Sequence, residues 1–223
     1  ICCHFVVKTV EVNTDGQIVD AFSDLARSLA GMSEEDVERA EHESTTYPKN
    51  AKSVPNIVMV AEDDEQGVRL TWQMQLLDGG LVRQRATVSN TDSARANTVL
   101  SVRTLELAYP VPSTAREILT TAGHHLRERH PQRQEITNGR YEKISRVGRS
   151  GFDATLLLTV GPRGFDFEPG EVYSTHVGWS GNSVIAVEQN TYTLPIIGGG
   201  ERLYAGEVSL HAGTGESYTS PLV

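Results

Sequence analysis

The sequence predicts a mainly β protein, an antiparallel β-sandwich with one or two short helices near the N-terminus. Short segments rich in β-branched and aromatic residues recur along most of the chain, and glycine-containing turns separate nearly all of them. Residues 69–76 (RLTWQMQL) alternate strictly between polar and apolar side chains, which is typical of a half-buried strand. Helical spacing is clearest at residues 20–43, where the helices are therefore expected.

The predicted strands follow one another as hairpins. After a first strand at residues 4–12, the strand at residues 69–76 turns back at Asp78-Gly79-Gly80 into residues 81–89. A further turn leads into residues 98–107, so this part of the chain is predicted to be a meander. The remaining predicted strands are residues 141–147, 154–160, 171–179, 183–194 and 207–211.

Two stretches carry a helical pattern. In the first, apolar residues from Phe22 to Met32 recur at near-helical spacing, and residues 33–36 have the form of a capping box. Together with a proline-containing loop, this stretch forms a predicted insertion at about residues 20–55. The second stretch covers residues 113–129, where the spacing of the apolar positions alone favours a helix.

Composition argues against several classes of function. The chain has 223 residues, with 20 Lys+Arg against 29 Asp+Glu, and its net charge of -9 would repel nucleic acid and anionic membranes on average. No stretch approaches the ~20 apolar residues of a membrane helix, and no basic and then apolar leader opens the chain. The only cysteines, Cys2 and Cys3, are adjacent and cannot join distant elements. We expect a soluble, cytoplasmic protein that binds neither nucleic acid nor membrane.

Serine and histidine clusters are the first candidates for chemistry. Gly148-Arg149-Ser150-Gly151 and Gly178-Trp179-Ser180-Gly181 each resemble half of a nucleophile elbow, but neither completes G-x-S-x-G. His124, His125 and His130 lack the spacing of metal ligands and stand among arginines, which would oppose a cation. We favour turns for the serine motifs, a solvated polar edge for the histidines, and a packed position in the core for Trp179.

Acidic, glycine-rich and polar-face residues are the other candidates. Asp63-Asp64-Glu65 lacks the ligand pattern of a calcium loop and Gly198-Gly199-Gly200 lacks the lysine of a phosphate loop, so both are predicted to be turns. The polar face of the strand at residues 69–76 would suit sugar hydroxyls, although an ordinary solvated face is favoured. That face comprises Arg69, Thr71, Gln73 and Gln75, with Arg83 and Arg85 across the hairpin. We assign no catalytic, cofactor-binding or metal-binding residue and expect no cofactor.

Five segments resemble, in order, parts of the N-terminal β-supersandwich domain of glycoside hydrolase family 36 α-galactosidases. They are residues 126–133 (LRERHPQR), 145–151 (SRVGRSG), 170–173 (GEVY), 177–182 (VGWSGN) and 215–221 (GESYTSP). Their joint order over residues 70–223 is specific, whereas about the first 65 residues resemble the family poorly. The resemblance implies a galactose mutarotase-like supersandwich with extended structure from Ile118 onward.

The resemblance also implies a division of roles between domains. In the family the catalytic aspartates belong to a (β/α)8 barrel, which is expected after Val223. Residues 1–223 would then be a single non-catalytic domain, a fragment of a longer protein. That protein would hydrolyse terminal α-D-galactosyl residues of galactosides such as melibiose and raffinose, with retention through a covalent intermediate. This domain would pack on the barrel and support assembly of a homo-oligomer.

Two other functions remain open from the sequence. A stand-alone carbohydrate-binding sandwich would need exposed aromatic side chains on one face, but aromatic residues make up 6% of the chain, and Trp72 lies on the predicted apolar face with Leu70, Met74 and Leu76. A mutarotase-like sugar isomerase would need histidine and carboxylate groups that converge in one cleft.

Overall fold

The computed structural model describes residues 6–14, 17–20, 56–77, 80–92, 99–149, 151 and 157–223. All the secondary-structure elements named among these residues are β-strands. They are β1 Val6–Thr14, β2 Gln17–Asp20, β3 Asn56–Asp63, β4 Val68–Leu77, β5 Leu81–Asn90, β6 Val99–Val102, β7 Leu107–Pro110, β8 Glu117–His124, β9 Arg127–Glu135, β10 Gly139–Ser145, β11 Leu157–Gly161, β12 Tyr173–His176, β13 Ser183–Gln189, β14 Ile196–Glu201, β15 Val208–His211 and β16 Ser217–Thr219. The predicted mainly β class is confirmed. The predicted helical insertion lies outside the described residues, apart from Asp20 at the end of β2.

The chain forms two compact units, Ile1–Ser101 with Ser209–Thr219 and Val102–Val208 with Ser220–Val223. The first unit contains a six-stranded antiparallel sheet in the order β16-β5-β4-β3-β1-β2. The second contains two four-stranded antiparallel sheets, in the orders β10-β13-β14-β7 and β12-β11-β8-β9. The strands β15 and β6 form a separate two-stranded sheet. The described residues include no helix long and apolar enough to cross a bilayer.

The β4–β5 hairpin lies within the six-stranded sheet of the first unit. Its register runs from Val68 opposite Asn90 to Leu77 opposite Leu81, which confirms the strand predicted at residues 81–89. The acidic residues before Gly67 lie at the β3–β4 turn, as predicted, and the Gly67 carbonyl accepts a hydrogen bond from the Thr91 N–H at 2.8 Å. The strand predicted at residues 98–107 is wrong in extent, because β6 ends at Val102 and β7 begins at Leu107.

The second unit is a sandwich with one apolar core. Both of its sheets contribute to a single cluster of buried side chains, so the apolar faces of the two sheets pack on each other. Strand alternation explains this, since Leu158 and Val160 on β11 point the same way and are 0% exposed, while Leu157, next to Leu158 in the strand, is 48% exposed. The core comprises Val111, Ala115, Ile118, Leu158, Val160, Val177, Ile185, Val187 and Ile197. The predicted sandwich is confirmed.

Residues 198–200 lie within a strand, so the prediction of a glycine turn there is wrong. They occupy β14, which pairs with β13 on one side and with β7 on the other. A Cβ atom at Gly198 would overlap the Leu107 carbonyl oxygen, and one at Gly199 would overlap the Val184 carbonyl oxygen and lie 2.8 Å from Cγ2 of Val177. The glycines therefore allow close backbone approach inside the sheet, and they are not needed to reverse the chain.

The helix favoured by spacing at residues 113–129 is also wrong. Residues 117–124 form β8, which pairs with β9 and with β11, as the family resemblance implies. Ile118 and Thr120 point inward with 2% and 3% exposure, whereas Leu126, at the hairpin tip, is 81% exposed. The alternation of a strand, and not the stripe of a helix, decides which of these side chains are buried.

Candidate functional site

The two Gly-x-Ser-Gly motifs lie beside each other in the second unit. The Gly148 N–H donates to Oδ1 of Asn182 at 2.8 Å, which joins the turn after β10 to the turn before β13. Ser180 is exposed, and the described residues give it no hydrogen bond to a histidine or a carboxylate. Ser150 lies outside the described residues. The described residues of the two motifs thus lie at neighbouring bends of the chain, and around Ser180 the described part of the chain supplies no base of the kind that activates a serine nucleophile.

Trp179 lies over the second of these turns. A Cβ atom at Gly181 would overlap Nε1 of the indole and lie 2.8 Å from Cε2, so glycine is needed where the ring crosses the backbone. The indole is 43% exposed, and the prediction that it packs in the core is wrong. β12 ends at His176, so the alternation that buries Thr175 and Val177 does not extend to Trp179.

Three more large apolar side chains are exposed on segments joined to this turn. Val147 is 66% exposed, Tyr204 51% and Leu222 40%. The Gly178 N–H donates to the Leu222 carbonyl at 2.7 Å, and the Tyr204 hydroxyl donates to the Arg146 carbonyl at 3.2 Å. We name this set the terminal patch: Val147, Trp179, Tyr204 and Leu222.

The polar face of the β4–β5 hairpin is hydrogen-bonded to itself. Nε of Arg83 donates to Oε1 of Gln75 at 2.6 Å, and Nε of Arg85 donates to Oε1 of Gln73 at 3.1 Å. Gln73 is only 7% exposed, so this part of the face is not the solvated surface that the sequence favoured. Because these glutamine oxygens already accept arginine N–H groups, the pairs present mainly donors. A sugar hydroxyl needs acceptors as well, which disfavours a sugar platform here.

Arg140 gathers three carboxylates on the second unit. Its guanidinium donates to Glu106 at 2.5 Å, to Glu142 at 3.0 Å and to Glu188 at 3.3 Å. Although partial burial opposes the charge, the hydrogen bonds to Glu106, Glu142 and Glu188 raise the pKa of Arg140 above its usual value. Sequence reasoning missed this group, since only Glu142 stands near Arg140 in the chain and gives a local signal.

Glu117 joins β8 to the segment that carries Gly164 and Phe165. It accepts a hydrogen bond from the Gly164 N–H at 3.1 Å and pairs with the guanidinium of Arg133 on β9. Arg133 also donates to the Phe165 carbonyl at 2.7 Å and stacks over the Phe165 ring, 4.7 Å from its centroid. The Gly164 N–H and then Arg133 hold the pKa of Glu117 below its usual value. Arg133 of the LRERHPQR segment thus has a structural role, because it connects Glu117 on β8 to Phe165.

We expect Glu117→Gln to reduce the acid sensitivity of folding. A depressed pKa in the folded state means that the ionised carboxylate stabilises the fold above the unfolded pKa, and that this contribution is lost as pH falls through the folded pKa. The wild-type protein should therefore resist urea better than Glu117→Gln at pH 7, and the two midpoints should converge below about pH 4.5, the usual value for glutamate. Glu168→Gln, at an exposed carboxylate, is the matched control. Parallel midpoints at all pH values would contradict the prediction.

The histidines lie at the exposed tip of the β8–β9 hairpin and do not converge. Nδ1 of His124 lies 2.8 Å from the His125 carbonyl, and Nδ1 of His125 lies 3.9 Å from a carboxylate oxygen of Glu128. His130 is exposed on β9. Within the described segments no group of three His, Cys, Asp or Glu side chains is placed to hold a metal ion.

The closing GESYTSP segment has a structural role. Glu216 accepts hydrogen bonds from the His211 N–H at 2.7 Å and from its ring Nδ1 at 2.9 Å, so it closes the turn between β15 and β16. These two bonds lower the pKa of Glu216. Thr219 on β16 then hydrogen-bonds Thr87 on β5 through their hydroxyls, at 2.8 Å. The segment thereby adds the edge strand β16 to the six-stranded sheet.

Comparison with known proteins finds one family along most of the chain. The profile described as "Glycosyl hydrolase family 36 N-terminal domain" matches residues 5–211. An alpha-galactosidase of Escherichia coli is 28% identical over 133 residues, which cover 60% of this chain and 18% of that protein. The matched part of the chain therefore spans less than a fifth of the length of this curated relative.

Solved structures give the same fold. The galactosidase domain of the alpha-galactosidase-sucrose kinase AgaSK superposes with a TM-score of 0.70 and 15% identity, over 99% of this chain and 27% of that one. A substituted form of the family 36 alpha-galactosidase AgaA from Geobacillus stearothermophilus, in complex with raffinose, gives a TM-score of 0.69 and 17% identity over the same shares. At these identities the structures establish the fold of the chain.

Proposed function

Since this chain belongs to the glycosyl hydrolase family 36 N-terminal domain family, we propose that it is the non-catalytic N-terminal domain of an α-galactosidase. The single observation that carries the proposal is the family match over residues 5–211. The fold agrees with this role, because Gly148 and Asn182 join the turns of the Gly-x-Ser-Gly motifs and Gln73 and Gln75 on the β4–β5 polar face accept hydrogen bonds from arginines.

The longer protein would remove terminal α-D-galactosyl residues from galactosides such as melibiose and raffinose, within carbohydrate metabolism. The E. coli relative is an alpha-galactosidase, and the AgaA structure holds raffinose, which supports this substrate class. Retaining chemistry requires a nucleophilic carboxylate and an acid/base carboxylate about 5 Å apart. We propose that both lie in a (β/α)8 barrel after Val223, as the family resemblance implies.

The rest of the proposal concerns assembly and location. Residues 1–223 would form one domain, with the insertion at about residues 20–55, that packs on the barrel and supports a homo-oligomer. The cytoplasm is the proposed compartment, and the adjacent Cys2 and Cys3 support it, since neighbouring cysteines do not form the long-range disulfides of exported proteins.

Expression of both the full-length protein and the 223-residue chain tests the proposal. The full-length protein should hydrolyse an aryl α-galactoside and release α-galactose first, as followed by NMR, whereas the 223-residue chain should show no turnover above buffer. Turnover by the 223-residue chain would place the catalytic groups within it and overturn the proposal. Millimolar galactose binding by the chain, with an inactive full-length protein, would favour a carbohydrate-binding module instead.

A further inference from the structure

The terminal patch has the residue composition of a protein interface, and hydrogen bonds already hold its segments in place. It exposes a tryptophan, a tyrosine and two aliphatic side chains on segments of the second unit that are joined by hydrogen bonds. Tryptophan and tyrosine are enriched among the residues that contribute most of the binding energy of an interface. Each buries a large apolar surface and has few rotatable bonds to fix. The Gly148–Asn182 and Gly178–Leu222 hydrogen bonds hold the contributing segments together, so little ordering would remain for binding.

Two arginines lie beside the patch. Arg146 and Arg149 flank Val147, both are exposed, and neither has an ion pair within the described residues. Arginine is the charged residue most enriched in interfaces, since its guanidinium stacks on apolar groups and binds carboxylates with two hydrogen bonds. The apolar surface with a cationic rim therefore fits a partner with apolar side chains and nearby carboxylates.

The path of the chain indicates which partner this is. Leu222 belongs to the patch, its carbonyl is bonded to Gly178, and Val223 packs against the core of the second unit. Relatives that match 99% of this chain are much longer than the match, which covers 27% of their length, and the proposed function puts the catalytic domain after Val223. A region joined covalently next to the patch would meet it at high effective concentration, so a small surface is enough to dock it.

We propose that the terminal patch is the surface through which this domain docks onto the catalytic domain of the same polypeptide. The inference rests on the proposed function, and it specifies the contact that the proposed packing uses. Trp179, placed over Gly181, is its largest side chain, and Arg146 and Arg149 are the charged residues next to Val147.

Oxidative footprinting of the full-length protein tests the contact directly. Tyr192 is the reference side chain: it is 95% exposed in the turn between β13 and β14, and the seven residues of β13 separate that turn from the patch by about 20 Å. Trp179 should be oxidised at least roughly tenfold more slowly in the full-length protein than its 43% exposure here would allow, while Tyr192 stays reactive. Rapid oxidation of Trp179 would overturn the proposal. Protection that disappears when an oligomer is diluted to monomers would assign the patch to a second copy, which also overturns it.

A pair of variants tests the consequence for stability. In the full-length protein, Trp179→Ala should shorten the half-life of activity at elevated temperature by roughly tenfold or more, whereas Tyr192→Ala should leave it unchanged. Equal half-lives for the two variants would contradict the inference. If the wild-type full-length protein hydrolyses the aryl α-galactoside but Trp179 is oxidised rapidly, only the proposed docking surface is wrong. If it has no such activity, the proposed function fails whatever the footprint shows.

Discussion

Gly199→Ala is expected to destabilise the second unit by about 3 kcal/mol, because the new methyl group has no space. It would overlap the Val184 carbonyl oxygen and lie 2.8 Å from Cγ2 of Val177 and 3.2 Å from Cγ2 of Ile185. Val177 and Ile185 are 0% and 1% exposed, so neither can move towards solvent. The carbonyl cannot retreat without disturbing the pairing of β13 with β14, where Ile185 lies opposite Gly199.

The unfolding midpoint in urea, read by circular dichroism, measures this effect. Gly170→Ala is the matched control, because the nearest heavy atom to its new methyl group is the Glu168 carbonyl oxygen at 3.9 Å and the site is exposed. Its midpoint should stay close to that of the wild type. If Gly199→Ala unfolded at the same urea concentration as Gly170→Ala, the close approach of β13 and β14 described above would be incorrect.

Leu158→Ala is expected to cost about 2–5 kcal/mol through a different mechanism, the loss of apolar contacts and the cavity that remains. Leu158 is 0% exposed, and β11 is an inner strand of its sheet, between β12 and β8. Core side chains from both sheets surround this position, so the backbone has little freedom to close the cavity.

The adjacent residue provides the control for the cavity. Leu157 has the same side chain on the same strand but is 48% exposed, so Leu157→Ala should change stability by less than about 1 kcal/mol. Urea unfolding of both variants at pH 7 gives the comparison. Similar losses of unfolding free energy for the two variants would mean that Leu158 does not point into the core.

Local patterns predicted the strands where polar and apolar residues alternate along a single segment. Residues 69–76 form β4 because their apolar side chains occupy every second position and a glycine-containing turn follows. Residues 113–129 were wrongly predicted as a helix because Ile118, Ala122 and Leu126 are four residues apart. Four is also a multiple of the two-residue repeat of a strand. Such spacing fits one face of a strand as well as one face of a helix, and only pairing with β9 and β11 decides between them.

The remaining errors come from interactions between distant segments. Glycines at residues 198–200 indicate a turn locally, but their cause is the close backbone approach of β7 and β13, which no local window contains. Arg140 binds Glu106 and Glu188 from elsewhere in the chain, so its role emerges only with the register of β10 and β13. Trp179 would point inward if the alternation of β12 continued to it, but β12 ends at His176.

The exposed edge of β9 limits how copies of this domain can associate. β9 is the last strand of its sheet, and all nine of its residues are exposed. Its side chains include Arg127, Glu128 and Arg129, and Pro131 offers no N–H. Charged residues and proline on an edge discourage strand addition by another chain. Two copies of this domain are therefore not expected to join their sheets edge to edge at β9.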